Sequence, residues 1–307
     1  ITHGANNWSR AYNPNLGVEA KNGVMEGTYF QACWDQVLET MPDTIMLVSW
    51  NMWTVLKLPY ENGEYMYVDT VNLDYSLSIE MARGAYEDNY YMQSAMNIRD
   101  YKFTGESPAY EAQTIDINGS YAQWYITEGV YRQIGEKAYR RMSSSVDGSI
   151  TYRTSLPENN IQEIRVAHDQ DNIYFMLRTE KDITSRKDGS LSWMNLFIGT
   201  GEPSLEGWEG YEYVLNRSGS DNSTDIVKLN ADFSGEVVGQ ADMKIDGNRM
   251  FISVPRSLVG MENQTQFYFK AADSVAVPED IMEYYVSGSV MPMGRLSYKY
   301  KMAEIGS

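Results

Sequence analysis

The sequence predicts an α/β segment followed by an all-β antiparallel sandwich. Three observations predict it. The first hundred residues alternate helical and strand-like patterns. From Ile115 onward the chain breaks into short alternating runs separated by turn residues. A length of 307 residues fits two domains better than one.

In the first part, Met25 to Met41 places Tyr29, Phe30, Cys33, Trp34, Val37, Leu38 and Met41 at helical spacing, and Pro42-Asp43 stops the run. Thr44 to Trp50 follows as a near-continuous apolar stretch, the pattern of a parallel strand buried on both faces. After a loop through Pro59 and Gly63, Asp88 to Tyr101 forms a second amphipathic segment. This order belongs to an (α/β) barrel of the TIM type or to a doubly wound sheet. A complete barrel needs about 250 residues. Residues 1–104 therefore read as the closing part of a larger domain, preceded by further chain, since the sequence opens Ile-Thr-His-Gly without a signal peptide. Residues 105–114 read as a linker and 115–302 as the sandwich.

The sandwich strands expected from alternation are Glu163–His168, Ile173–Thr179, Met194–Ile198, Tyr211–Asn216, Asp225–Leu229, Gln240–Ile245, Arg249–Val254, Gln266–Ala271 and Arg295–Tyr300. Turn signals such as Asp169-Gln170-Asp171-Asn172 and Asp246-Gly247-Asn248 separate them.

Composition narrows the function. With 42 acidic and 25 basic residues the net charge is -17, which repels phosphate backbones and anionic lipid. Nucleic acid is thus not an expected partner. No apolar run approaches the roughly 20 residues that cross a bilayer, so membrane insertion is not expected. The single Cys33 excludes an internal disulfide and a Cys-based zinc site, and with only His3 and His168 a multi-histidine metal site is not expected. The chain holds 24 Tyr and 7 Trp against 8 Phe. Their flat apolar faces with polar rims suit sugar rings, and equally suit packing in an all-β domain.

Two groups of motifs carry resemblances. Trp50-Asn51-Met52-Trp53 ends the apolar stretch, where barrels carry their catalytic groups. With Tyr29-Phe30-Gln31-Ala32-Cys33-Trp34-Asp35 upstream, and Tyr75-Ser76-Leu77-Ser78-Ile79-Glu80, Gly84 to Tyr91 and Asn97-Ile98-Arg99 downstream, it resembles glycoside-hydrolase-like bacterial barrels distantly similar to glycoside hydrolase families 71 and 99. That resemblance implies hydrolysis by paired carboxylates. Met52 stands where the pattern has Glu, and a thioether can neither donate a proton nor attack an anomeric carbon, so this chain alone is expected to be inactive. Asp69, Glu80 and Asp88 remain as candidate catalytic carboxylates, against the simpler reading as caps and solvated charges. Trp50, Asn51 and Trp53 are candidates for sugar contact, or for packing at the barrel top.

In the second part, Ile115 to Trp124 resembles the opening strand of family 9-like carbohydrate-binding modules, of jelly-roll or immunoglobulin-like build. Val166-Ala167-His168-Asp169, Trp193 to Ile198, Gly207-Trp208-Glu209-Gly210-Tyr211-Glu212-Tyr213 and Asp280 to Gly288 resemble further parts of them. The resemblance implies an aromatic-walled groove for a polysaccharide or oligosaccharide, with Trp193, Trp208 and Tyr211 stacking and Asn195, Asn216 and Arg217 reading hydroxyls. Trp208 between two glycines reads equally as a core plug. Relatives often carry Asp-Thr-Asp where this chain has Gly199-Thr200-Gly201. Loss of both carboxylates leaves no calcium site expected at that turn, while Asp169, Asp171 and Asp188 offer hard oxygen ligands that could hold an ion such as calcium, against the simpler reading as solvated turns. Haem-bearing relatives need axial Met or His ligands, whereas His168 reads as a strand-end histidine. No cofactor is expected. The setting the resemblances imply is extracellular or on a bacterial cell surface, with the preceding part of the same protein as a further partner. A non-catalytic glycan-binding protein and a purely structural sandwich are the alternatives. Exposed aromatic candidates would favour binding, and buried ones bracing.

Overall fold

A computed structural model describes residues 9–51, 57–59, 62–67, 73–74, 76, 78–84, 86–102, 108–133, 141–144, 147–149, 151–187, 189–200 and 207–303. The chain divides into two units between Glu106 and Ser107.

In the first unit the expected helices form as α1 (Gly23–Glu26), α2 (Thr28–Thr40) and α3 (Asn89–Lys102). The first expected helix is split at Gly27, whose φ of 66° ends α1 in a left-handed cap. A Cβ there would also meet the end of the Gln93 side chain, which would have to move aside. Phe30 and Trp34 of α2 pack with Ile79, Tyr86 and Tyr90 in a small core. Arg10 lies over the Tyr86 and Tyr90 rings at 4.9 and 4.4 Å. Burial pushes the Tyr90 phenol up to about 12.

The expected parallel strand is a correction. Thr44 to Trp50 carries no strand pairing, and Met46, Leu47, Val48 and Trp50 are exposed. Its last carbonyls, of Ser49 and Trp50, accept from the backbone N–H groups of Ile79 and Glu80. Among the described residues of this unit the paired strands are short and antiparallel, Tyr12–Asn13 with Val18–Glu19 and Lys57–Pro59 with Tyr65–Tyr67. The helix–strand rhythm is present, but a strand takes shape only beside neighbours that bond its edges, and among the described residues Thr44 to Trp50 has none.

In the second unit, eleven strands among the described residues build one antiparallel sheet. They are β1 (Gly129–Arg132), β2 (Ile161–His168), β3 (Asn172–Thr179), β4 (Asn195–Gly199), β5 (Tyr213–Gly219), β6 (Ser223–Leu229), β7 (Gly235–Asp246), β8 (Arg249–Pro255), β9 (Gln266–Asp273), β10 (Ser289–Met291) and β11 (Tyr298–Lys301). The order is β10-β9-β4-β5-β6-β7-β8-β3-β2-β1, with β11 also on β9. The sheet curls until its ends meet. The Tyr131 ring of β1 stands edge-on to Phe269 of β9 at 4.9 Å, and its hydroxyl donates to the Lys299 carbonyl of β11 at 2.7 Å. Ile161 N–H at the start of β2 donates to Ser289 Oγ of β10 at 2.9 Å. Curling thus hides edges that would otherwise invite pairing with other chains.

Alternation then fills three layers. Inward residues Ile164, Val166, Phe175, Leu177, Leu196, Ile198, Ile252 and Phe269 share the main core. On the outer face of β2, β3 and β8, Ala167, Tyr174, Met176 and Phe251 are covered by Ile115, Ile117 and Trp124. Ile115 to Trp124 is therefore a covering layer, extended and then 3-10 helical over Tyr121–Ile126, rather than the expected opening strand. Within the stretch read as linker, Tyr110 bridges to Met302 and stacks on Tyr300 at 4.9 Å, while Gln113 N–H donates to the His168 carbonyl.

His168 ends β2 as expected but is fully buried, with Nδ1 2.9 Å from the Tyr300 hydroxyl and Nε2 without a partner among the described residues. Burial first, and then the Arg256 cation, lower its pKa from 6.5 to about 4. The unfolded chain takes up this proton near 6.5 and the folded chain only near 4. Stability from this group is complete above the upper value and is lost as pH falls through the window, by about 3 kcal/mol at most. Denaturant titrations at either end of the window should show that loss in the native chain and a smaller one in His168→Gln. Equal losses in both would remove His168 from the account.

Candidate functional site

The first-unit candidates separate. Trp50 is 43% exposed, its ring edge-on to Tyr91 at 6.1 Å, and its carbonyl accepts from Glu80 N–H at 2.9 Å. Asn51 is exposed and Glu80 half-buried beside it. Asp88 is completely buried ahead of α3, and its carbonyl accepts from Met92 N–H. The Asp88 carboxylate is thus shut off from solvent. Met52, Trp53 and Asp69 lie outside the described residues.

In the second unit, Trp193, Trp208 and Tyr211 are all buried, at 5, 4 and 0% exposure. Trp208 and Tyr211 do not wall an open groove. The turn Gly207 to Tyr211 closes on itself through reciprocal Trp208–Tyr211 backbone bonds of 2.9 Å and lays both rings on Phe197 of β4, at 5.5 Å each. Phe233 and Tyr284 complete the cluster, 4.7 and 5.6 Å from Trp208. The Trp208 indole N–H donates to the Glu279 carbonyl at 3.3 Å, and the Tyr211 hydroxyl pairs with Ser297 Oγ at 2.6 Å. Burial raises the Tyr211 and Tyr284 phenols above their ordinary range. This is a third packed layer, over the outer face of β4 and β9, and it also shuts in Lys270. Burial holds that ammonium well below its ordinary pKa, with the Pro292 carbonyl as its acceptor.

The polar candidates support the same packing. Asn195 donates to the Leu215 carbonyl at 3.2 Å and Asn216 to the Met194 carbonyl, both completely or almost completely buried. Asn216 has a φ of 71° at a bulge between Leu215 and Gly219. Arg217, just beyond it, lies 3.9 Å over the Phe233 ring and donates to the Phe233 carbonyl at 2.9 Å. Burial lowers its pKa to about 10.

The turn after β4 explains its glycine. A Cβ on Gly199 would sit 2.4 Å from the Gly210 carbonyl oxygen and 2.5 Å from the Glu212 carboxylate. Glu212 fills the space and accepts from Thr200 N–H at 2.8 Å and Thr200 Oγ1 at 2.9 Å. In the other turn, Asp169 accepts from Asp171 and Asn172 N–H and from the Tyr174 hydroxyl. Asp188 lies outside the described residues. Among the described residues no three His, Cys, Asp or Glu side chains converge as a metal would require.

The open site lies elsewhere, at the loop end of β4 and β9. A cleft with a cavity volume of about 390 Å³ is lined by Trp193, Leu191, three serines (190, 192 and 274), Glu158, Lys187, Asp273, Val275, Ala276, Pro278 and Glu279. Its frame is Asp273, which is 1% exposed. The Asp273 carboxylate accepts from Met194 N–H (3.0 Å), Asn159 N–H (2.9 Å), the Asn159 amide (2.9 Å) and Ser274 Oγ (2.7 Å). Ser192 is fixed from both sides, its carbonyl accepting from Ser274 N–H and its hydroxyl from Val275 N–H. Trp193 is locked by its indole N–H on the Thr184 carbonyl at 2.8 Å, with Arg186 5.6 Å from the ring. At the mouth, Lys187 pairs with Glu158, both partly exposed. Of the sequence candidates only Trp193 is here. Glu158, Lys187 and Glu279 come from separate loops and belong to no motif.

Trp208→Ala should lower unfolding free energy by about 3–5 kcal/mol, the range for emptying a large aromatic site in a core. Asp273→Ala should be comparably severe, because it strands several buried donors at about 1–3 kcal/mol each. Chemical denaturation measures both. A Trp208→Ala chain as stable as the native one would show that the cluster is not a packed layer.

No protein-family model matches the chain, and no curated protein matches it. Among solved structures, it is similar to a family 9 carbohydrate-binding module from Caldicellulosiruptor kristjanssonii in complex with cellotriose, with a TM-score of 0.32 and 11% identity over 64% of this chain and 93% of that one. So remote a likeness says nothing of where a ligand would sit, and the site rests on the residues above.

Proposed function

We propose that the second unit is a non-catalytic oligosaccharide-binding module that seats its ligand in the cleft beside Trp193. The observation that carries this reading is the cleft itself, open and rigidly framed, with hydroxyls and an exposed ion pair facing apolar atoms of Leu191, Val275 and Ala276. Sugars present that mixture of hydroxyl groups and apolar C–H patches. The exposed pair is worth little to folding, so Lys187 and Glu158 are free to exchange partners with sugar hydroxyls. Family 9-like resemblance in sequence supports the same class of ligand. On its sequence, the first unit is read as the closing part of a glycoside-hydrolase-like barrel, and the module would hold such a protein on a polysaccharide outside the cell or at its surface.

Burial of all three aromatic candidates, Trp193, Trp208 and Tyr211, favours a second reading, in which the sandwich binds nothing and only braces its neighbour. Calorimetric titration of the full chain with a panel of neutral and charged oligosaccharides separates the two. Binding that weakens about tenfold in a Lys187→Ala, Leu191→Ala chain, with unfolding free energy unchanged, is the expected result, the size of losing about one good polar contact. Absence of binding to every glycan by the folded chain would leave the brace.

A further inference from the structure

Given the oligosaccharide reading, on which this rests, we infer that the cleft selects amino sugars over neutral ones and turns uronic acids away. Its lining carries three carboxylates, Glu158, Asp273 and Glu279, against the single ammonium of Lys187. These groups are not equivalent. Asp273 is closed to a ligand by its four donors, yet its charge stays at the cleft floor. Glu158 is engaged by Lys187. Glu279 is exposed, lines the cleft, and has no side-chain partner among the described residues. It is held in place through its backbone, whose carbonyl accepts the Trp208 indole N–H. The open charge in the cleft is therefore negative.

A protonated sugar amine placed there gains a charge-assisted hydrogen bond to Glu279 without disturbing the Lys187–Glu158 pair. A uronate carboxylate would have to take Lys187 from Glu158, leaving that carboxylate unpaired, and would lie among like charges. The field of the whole chain, at a net charge of -17, adds in the same direction at low ionic strength. A neutral oligosaccharide meets no like-charge repulsion and gains no charge-assisted bond to Glu279, since its hydroxyls engage both members of the Lys187–Glu158 pair.

The test titrates the full chain calorimetrically with glucosamine, glucose and galacturonate oligosaccharides of equal length, at a pH that protonates the sugar amine and at low and high salt. A parallel series uses Glu279→Gln, an exposed change that leaves the frame intact. The glucosamine oligomer should bind about tenfold more tightly than the glucose oligomer, a gap that narrows with salt. The galacturonate oligomer should not bind. Glu279→Gln should abolish the advantage of the glucosamine oligomer over the glucose oligomer. Equal binding of all three, or a glucosamine preference that survives Glu279→Gln, overturns the selectivity while leaving the oligosaccharide reading standing. No binding by any of them overturns both.

Discussion

The buried carboxylate of Asp273 is the interaction on which the candidate site depends. It stands at the end of β9, directly after Ala272 pairs with Asn195 of β4. Its four hydrogen bonds gather Met194 before β4, Asn159 before β2 and Ser274 beyond β9. A buried charge is tolerated only when its acceptor positions are filled, and here backbone and side-chain donors fill them. The consequence is that three loops far apart in sequence are fixed against each other. The cleft is a by-product of that fixing, since its walls are the residues flanking the bonded ones.

The curled sheet supplies the rest of the rigidity. Strands such as β3, β4 and β9 are buried on both faces, because Ile115 to Ile126 covers one outer face and the Trp208 cluster covers another. Aromatic side chains that could have stacked on sugars are used instead as a covering layer. Large amphipathic rings close a sheet face well, and their polar ends still find partners in Glu279 and Ser297. On the proposed function, ligand contact falls to the small polar groups and the one ion pair at the loop end, beside Trp193.

Much of the sandwich was legible in the sequence. Strands β2 to β9 and β11 lie where alternation put them, with ends displaced by a few residues, because period-two burial is a local signal that one strand carries alone. The strands β1 and β10 were not foreseen, being only four and three residues long. Ile115 to Trp124 alternates like a strand but lies over the sheet, since alternation reports a buried face and not a bonded edge. For the same reason Thr44 to Trp50 reads as a buried strand yet is exposed here: hydrophobicity states what a segment needs, and neighbours decide whether it obtains it. The site was the least legible part. Trp193 stood out by residue type, as did Trp208, and their different fates turn on the tight turn at Gly207 to Tyr211. Glu158, Lys187, Asp273 and Glu279 are ordinary polar residues until the pairing of β4 with β9 brings their loops together.

The most direct test of this account follows the indole N–H resonances of Trp193 and Trp208 in the isotope-labelled chain during titration with an oligosaccharide that binds. The two rings report on the cleft and on the packed layer respectively. The account requires the Trp193 signal, with the backbone signals of Leu191, Ser192 and Ala276, to shift in a saturable way while side-chain signals of Tyr211, Phe233 and Tyr284 stay in place. Shifts centred on Trp208, Tyr211 and Tyr284, with Trp193 unmoved, would contradict it and return the binding site to the aromatic cluster.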